Sequence, residues 1–376
     1  MSSEVTQGKY TVLHLGKFYP PHNGGMETHL RDLAVRQTGE ASVRVIVANS
    51  ERKNERSVMD EVCVTRVARW GTIASMPVCP SMIGDIRRSP ADLVHLHAPN
   101  PGAAFAYLMS GHRGKLVITH HADTLGRKIL RKMSDGFVRT AMERADAIIV
   151  TSERYLMSSD ELGPFREKCR VIPLGITPAQ MLENCRPFGQ EQRIPLDRPL
   201  ILAIGRLVAY KGFDVLIQAM KHVNAHLLLI GDGPQAIELQ TLVESNGLQQ
   251  KVSMLGRVDD LSPYFQAASM FVMPSITRAE AFGMVQLEAM AAGLPVINTD
   301  IDSGVPEVSL HGKTGVTVAP GDVEAMADAI ELLLGRPDLR DCYGKAARER
   351  VLAEFTVDRM VEETFSVYRE VLQEKN

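Results

Sequence analysis

Residues 274–300 read Pro274-Ser-Ile-Thr-Arg-Ala-Glu-Ala-Phe-Gly-Met-Val-Gln-Leu-Glu-Ala-Met-Ala-Ala-Gly-Leu-Pro-Val-Ile-Asn-Thr-Asp300 and carry two carboxylates, Glu280 and Glu288, eight residues apart. Residues 269–273 before the stretch and 295–299 within its end are short apolar runs of the kind that form buried strands. Gly283 permits a tight turn, 284–292 has helix-forming residues at helical spacing, and Gly293 with Pro295 stops the helix. The unit is therefore strand, loop, helix, strand, with Glu280 in the loop and Glu288 in the first turns of the helix. The amides of Phe282, Gly283 and Met284 would be the open donors of a helix N-terminus, which favours an anion. One carboxylate before an anion site and one just inside it suit a ligand with hydroxyls at both ends and phosphates between. A nucleotide sugar has that layout.

The pattern repeats outward. Strands are expected at 199–205, 225–230, 252–255 and 315–319, completing one set, and at 10–16, 43–48, 62–67, 92–97, 115–120, 147–151 and 170–174 in a first set, with helical stretches between most of them. This is α/β architecture with two Rossmann-like domains. The expected boundaries are 1–178 for the first domain, 179–198 for a linker rich in Pro, Gly, Gln and Arg, 199–356 for the second domain, and 357–376 for a terminal amphipathic helix. That helix carries Met360, Val361, Phe365, Tyr368 and Leu372 on one face.

Several strand ends carry chemistry. Gly205-Arg206-Leu207-Val208-Ala209-Tyr210-Lys211-Gly212 sets two cations five apart beyond a strand, where they can converge on a diphosphate. Gly24-Gly25-Met26-Glu27 follows the first strand and opens a helix. Val117-Ile-Thr-His-His-Ala-Asp123 ends another strand, at the edge where such sheets bind ligands. Gly231-Asp-Gly-Pro234 reads as a tight turn, although Gly231-x-Gly233-x-x-Ala236 also fits a loose dinucleotide fingerprint.

Taken together these motifs resemble the family 4 retaining glycosyltransferases, which have two facing Rossmann-like domains, the GT-B fold, and whose terminal helix crosses back onto the first domain. The resemblance rests on Glu280-Ala-Phe-Gly-Met-Val-Gln-Leu-Glu288 with its Ala-Met-Ala-Ala-Gly-Leu-Pro-Val context, on Gly205-Arg206-Leu207 to Lys211-Gly212, and on Gly24-Gly25-x-Glu27. It runs along essentially the whole chain, densest over 199–320 and loosest over 50–90. It implies transfer of a hexose from a nucleoside-diphosphate sugar, GDP-mannose or a UDP-hexose, to a glycan or lipid-linked acceptor, as in surface-polysaccharide or glycolipid synthesis. The implied roles are Arg206 and Lys211 on the pyrophosphate, Glu288 on the ribose and Glu280 on the sugar. His121 rather than His120, with Asp123, would orient sugar and acceptor. Gly24, Gly25, Gly205, Gly231, Arg257, Val258, Ala281, Phe282, Gly283 and Met284 would line the donor. Asp300-Ile-Asp302 falls in the family's usual Ser-Gly-Val-Pro-Glu context, so no metal and no bound cofactor is expected, and nucleic acid is not an expected partner. An epimerase or phosphorylase on the same scaffold would use similar residues, and an NAD-dependent oxidoreductase would rest on Gly231-x-Gly233-x-x-Ala236 while leaving Arg206, Lys211 and Glu288 without a task.

Bulk properties agree with this outline. At 376 residues the chain has length for two cores, and its five scattered cysteines include no Cys-x-x-Cys pair, which points to reduced thiols and a cytoplasmic setting. The net charge of −3 is uneven, with +6 over 1–178 and −9 over 179–376. The basic amphipathic stretch 125–143 is compatible with peripheral contact at the anionic inner face of a membrane, and equally with a core helix bearing a solvated basic side.

Overall fold

The computed structural model describes residues 10–22, 24–73, 76–123, 128–178 and 198–373, with the side chains of 128–135 outside that description. The chain divides into two compact units, Met1–Pro173 with Val357–Asn376, and Leu174–Thr356. Most of the 179–198 stretch expected to link them lies outside the described residues.

The first unit is built on an eight-stranded sheet. Its strands are β1 (Thr11–Leu15), β2 (Ser42–Ala48), β3 (Glu55–Met59), β4 (Val62–Val67), β7 (Leu93–Ala98), β8 (Lys115–His120), β9 (Ala147–Val150) and β10 (Cys169–Val171), while β5 (Gly71–Ile73) and β6 (Met76–Val78) pair as a separate antiparallel hairpin. The order is β10-β9-β8-β7-β1-β2-β4-β3, parallel throughout except for β3. The central strands are buried along most of their length, β7 and β9 without a break. Helices on both faces of a parallel sheet require this, and it is why these strands appear in the sequence as continuous apolar runs. The antiparallel β3 was not anticipated. It is a mostly exposed edge strand whose turn, Asp60 and Glu61, puts both residues at positive φ (48° and 66°) without the Asn-Gly that usually marks such a hairpin.

The second unit has six strands, β11 (Leu200–Ile204), β12 (His226–Ile230), β13 (Val252–Gly256), β14 (Met270–Val272), β15 (Val296–Thr299) and β16 (Gly315–Val318), in the order β13-β12-β11-β14-β15-β16 and all parallel. Counted within the unit this is 3-2-1-4-5-6, the doubly wound order of dinucleotide-binding sheets. Successive connections leave β11 and β14 in opposite directions, and a crevice opens between them at their carboxyl ends. The first unit has the same reversal, between β1 and β7.

The last helix, Val357–Gln373, belongs to the first unit. It buries Met360, Val361, Phe365 and Tyr368 as its periodicity suggested, but Val371 takes the inward place expected for Leu372, which is only half-buried. Tyr10 and Phe365 meet edge to face with ring centroids 6.3 Å apart, and Arg170 pairs with Glu370 at 2.5 Å.

Backbone contacts in the second unit leave no room for side chains at two turns. A Cβ on Gly231, at φ 143°, would stand 1.9 Å from the Gly205 carbonyl oxygen, and one on Gly233 would stand 2.4 Å from that of Leu207. The loops after β11 and β12 are thereby locked backbone to backbone, with Leu207 N–H donating to Asp232 O at 3.0 Å. Gly231→Ala is expected to cost about 3 kcal/mol of stability, read as a fall in the urea midpoint. An unchanged midpoint would mean that the two loops separate freely.

Candidate active site

In the second unit the crevice between β11 and β14 gathers most of the residues singled out in the sequence. Gly205 follows β11, and Lys211 returns over it through the single turn Ala209–Lys211, so that a Cβ at Gly205 would lie 3.4 Å from Lys211 Nζ. Gly212, at φ 65°, starts the next helix with its α-carbon pressed against Pro274, where a Cβ would be 2.1 Å from the carbonyl oxygen. Ile276 N–H donates to Tyr210 O at 2.8 Å, which joins the two loops.

Lys211 and Glu280 are both buried and form an ion pair, and Ser275 Oγ donates to the same carboxylate oxygen, Oε2, at 3.3 Å. The sequence had divided these two residues between diphosphate and sugar. The structure puts them in direct contact and leaves Glu280 Oε1 without a hydrogen bond among the described residues. Arg206 is exposed and makes no ion pair among the described residues. Burial pushes the Tyr210 phenol up in pKa, Glu280 adds to the rise, and Lys211 and Arg206 oppose it. The three charges therefore share one neighbourhood.

The helix Met284–Ala291 begins at Gly283, whose φ of 77° calls for glycine and beside which the Met273 side chain packs closely. No side chain caps this helix, so its first amides are open donors. Glu288 lies four residues on from Met284, on the same helical face. Burial alone pushes its carboxyl up to about 7, and no group among the described residues pairs with it. Ala281 O accepts from Gly304 N–H at 2.8 Å. Beneath the loop, buried Gln286 donates to Phe282 O at 2.8 Å and to Val305 O at 3.3 Å, while Asn298 Nδ2 donates to Val305 O at 3.0 Å. Gln286, Asn298 and Ser275 shape the Glu280 loop and were not singled out from the sequence. Their signal was a polar residue inside an apolar helix, strand or strand end.

Arg257 and Val258 follow β13. Arg257 is exposed and lies 3.7 Å from Asp259, and Val258 is half-buried. A cleft of about 470 Å3 borders Gly231, Asp232, Met254 and Gly256. Asp300 and Asp302 are both exposed.

The remaining predicted residues lie in the first unit. Gly24 has an extended φ of −179°, and nothing lies within 4 Å of a Cβ placed on Gly25. Backbone geometry does not require this pair to be glycine. Gly25 leaves open space at the start of the helix Gly25–Gln37, while at Gly24 the Glu27 carboxylate lies where a Cβ would stand.

His121 belongs to a buried group with His14, His29, His95 and His97. The hydrogen bonds among them have one direction. Gln37 Nε2 donates to Tyr368 Oη at 3.3 Å, so the Tyr368 hydroxyl donates to His95 Nδ1, and His95 Nε2–H donates to Thr119 Oγ1. On the other side Gln37 Oε1 accepts from His14 Nε2–H at 2.7 Å, which makes His14 Nδ1 an acceptor for His97 Nε2–H at 3.1 Å and His97 Nδ1 an acceptor for His121 Nε2–H at 3.4 Å. With the Gln37 carbonyl turned toward His14, His121 Nδ1 carries a lone pair and is an acceptor. Burial lowers the pKa of all five rings, His14 to about 4 and His29 to about 3, so they are neutral near pH 7.

The sets His14, His95, His97 and His29, His97, His121 each bring one ligand atom per residue within 4.8 Å of the others, as does His120 with Asp123 and Glu161. Shared protons already account for the spacing of His14, His97 and His121. Both ring nitrogens of His29 are buried without a hydrogen bond among the described residues, and its ring meets that of His121 edge on at 4.8 Å. His120 is held by Tyr155 Oη at 2.8 Å, and Asp123 Oδ1 accepts from Tyr155 at 2.9 Å and from Ser159 at 2.5 Å. Asp123 thus anchors its own loop.

Residues 23–180 match the description glycosyltransferase family 4 and residues 187–350 match glycosyl transferases group 1. D-rhamnosyltransferase WbpZ of Pseudomonas aeruginosa is 31% identical over 268 residues, 71% of this chain and 70% of the relative. A GDP-mannose-dependent monoacylated alpha-(1-6)-phosphatidylinositol monomannoside mannosyltransferase of Corynebacterium glutamicum is 28% identical over 92% of this chain and 94% of its own. Among solved structures, sucrose-phosphate synthase of Thermosynechococcus elongatus superposes with a TM-score of 0.81 at 22% identity, over 98% of this chain and all of that one. No described helix is long and apolar enough to cross a membrane.

Proposed function

Because the chain belongs to the family 4, group 1 glycosyltransferases, we propose that it is a retaining hexosyltransferase that takes its sugar from GDP-mannose or a UDP-hexose and passes it to a lipid-linked glycan. The observation that carries this reading is the buried Lys211–Glu280 pair at the switch point of the second unit. A cation fixed there, with Arg206 exposed beside it, meets the charge that develops on a departing diphosphate. Glu280 holds the ammonium in place through Oε2 and offers Oε1 to a sugar hydroxyl. Glu288 accepts from the ribose hydroxyls, and Arg257, Val258 and the cleft beside Gly256 border the base.

Retention follows from attack on the face the leaving group departs from. The acceptor oxygen bonds to the anomeric carbon as the bond from that carbon to the phosphate oxygen breaks, and the acceptor's proton passes to the leaving phosphate. This route needs no carboxylate nucleophile, and Glu280, the carboxylate nearest the diphosphate cations, is already committed to Lys211. His121, a neutral acceptor, orients a hydroxyl, and no metal is required when Lys211, Arg206 and helix amides supply the positive field.

A thermal-shift panel of UDP, GDP, ADP and NAD tests the reading. One nucleoside diphosphate should stabilise the protein, and Lys211→Ala should remove that shift. Stabilisation by NAD alone would overturn it.

Glu288 gives a separate prediction. Its carboxyl is raised in the folded state, so the folded protein binds the extra proton and loses stability as pH rises from about 4.5 through about 7. Glu288→Gln should therefore stabilise the ligand-free protein at pH 8 by about 1–2 kcal/mol while weakening nucleotide binding about tenfold. Destabilisation together with unchanged affinity would remove Glu288 from the site.

A further inference from the structure

The first unit holds a cavity of about 490 Å3 that the donor chemistry does not use. It lies at the carboxyl edge of the sheet, where Gly16 and Lys17 follow β1, Ala48 ends β2, and the helix Pro101–Ser110 follows β7. The β5–β6 hairpin and the segment after it form the opposite wall. This is the topological switch point of the first unit, the counterpart of the donor crevice in the second, and the volume falls in the usual range for small-molecule sites, roughly 300–1,000 Å3.

The lining is wrong for a sugar. A glycan needs a dense set of donors and acceptors, yet among the lining residues Lys17 is the one charged side chain and Asn100 the one amide. Asn100 Oδ1 is engaged as the N-cap of the helix, accepting from Ala103 N–H, which leaves Nδ2 as a single buried amide donor without a partner among the described residues. The rest is apolar, and the apolar surface continues outward. Ile73 is 57% exposed and Phe105 and Phe137 are 39% exposed, with the two phenyl rings edge to face at 4.9 Å. Phe137, Val138 and Ala141 lie on the helix Lys128–Arg144. Val138 and Ala141 are buried, whereas Phe137 turns to this cavity. Large side chains left open around one cavity mark a surface that something apolar covers. Lys17, whose ammonium lies 5.9 Å from the Phe18 ring, forms no ion pair among the described residues.

An apolar cavity with a single cation suits a hydrocarbon that ends in one anionic group. We propose that the cavity receives the hydrocarbon adjoining the phosphate of a lipid-phosphate-linked acceptor, with Lys17 on the phosphate. This rests on the lipid-linked acceptor proposed above and assigns it a binding site. The hydrocarbon replaces water against Met76, Ile83 and Ala103, while the phosphate stays at the rim.

Equilibrium dialysis of the full chain against farnesyl phosphate, farnesol and inorganic phosphate tests this, with the emission of Trp70 as a second readout. Trp70 is the sole tryptophan, is 68% exposed, and donates its backbone N–H to Val78, a lining residue. Farnesyl phosphate should bind at least about tenfold more tightly than farnesol, with a blue shift of Trp70, and inorganic phosphate should not saturate. Lys17→Ala should bring farnesyl phosphate to the level of farnesol and leave farnesol unchanged. Met76→Glu should weaken both about tenfold or more. Absence of binding below the micellar range, equal binding of phosphate ester and alcohol, or indifference to Met76→Glu would each overturn the proposal. Thermal shift with nucleoside diphosphates on the same preparations reports folding of the variants and separates the two readings. A nucleotide response without lipid binding removes only the cavity assignment, and lipid binding without a nucleotide response removes only the donor assignment.

Discussion

Lys211→Ala is expected to lower kcat by about 10²–10³-fold, the usual loss when one fixed charge-stabilising donor is removed. The reason lies in where the folded chain keeps the ammonium. Burial would ordinarily make an unpaired lysine costly, and here Glu280 offsets that cost before any ligand arrives. The cation is therefore already in place when the diphosphate begins to leave, and no reorganisation is needed at the transition state. Glu280→Gln should also be slow, by a different route, because Lys211 then loses its holder. The double variant Lys211→Ala, Glu280→Gln should be little worse than Lys211→Ala, since the two residues act as one unit. Fully additive losses in that cycle would mean that the residues work independently and that the ion pair is incidental. Lys211→Arg should not restore the rate, because the ammonium packs over Gly205, where even an added Cβ would come within 3.4 Å of Nζ, and a planar guanidinium is not interchangeable with that compact charge.

The parallel strands were legible because they are buried on both faces. Runs such as Ala-Ile-Ile-Val at β9 and His-Leu-Leu-Leu-Ile at β12 have few other uses in a soluble chain. The loop after β14 was legible for a related reason: Gly283 and Gly212 sit where φ is positive, and at Gly212 the Pro274 carbonyl also leaves no space, so backbone constraint wrote itself into the sequence. Partners were not legible. Nothing in the spacing of Lys211 and Glu280 says that they pair with each other, because the contact is made by two loops brought together at the β11–β14 reversal. β3 was missed because an exposed edge strand has no apolar pattern to betray it, and the hydrogen-bond direction that fixes the His121 tautomer depends on Gln37 and Tyr368, two residues 331 apart. The charge asymmetry between the chain's halves did not indicate the apolar cavity, whose wall includes the β5–β6 hairpin in the segment that resembled the family least.

Acidification should unfold the first unit, with about 5 kcal/mol of stability lost between about pH 7.5 and 5.5. An unfolded histidine takes up its proton near pH 6.5. The five buried rings resist protonation, His14 to about 4 and His29 to about 3, with His95, His97 and His121 also held well below the ordinary value by desolvation. The unfolded chain therefore binds more protons than the folded one below pH 6.5, and stability falls as pH falls. Each ring costs up to about 1.4 kcal/mol per pH unit in that window, so a few acting together rival the whole stability of a typical domain. Around them the described groups are neutral partners: Gln37, Thr119 and the Tyr368 hydroxyl, whose own ionisation burial suppresses. No carboxylate among those partners rescues an imidazolium. Urea titrations at pH 7.5, 6.5 and 5.5, followed by Trp70 because it lies in the first unit, should give a falling midpoint, and His97→Gln should flatten the fall by about one proton's worth. A midpoint that stays level from pH 7.5 to 5.5 would mean that the rings are hydrated rather than buried. The same desolvation that makes the unit acid-sensitive keeps His121 neutral, and neutrality is what leaves its second nitrogen free to accept a hydrogen bond.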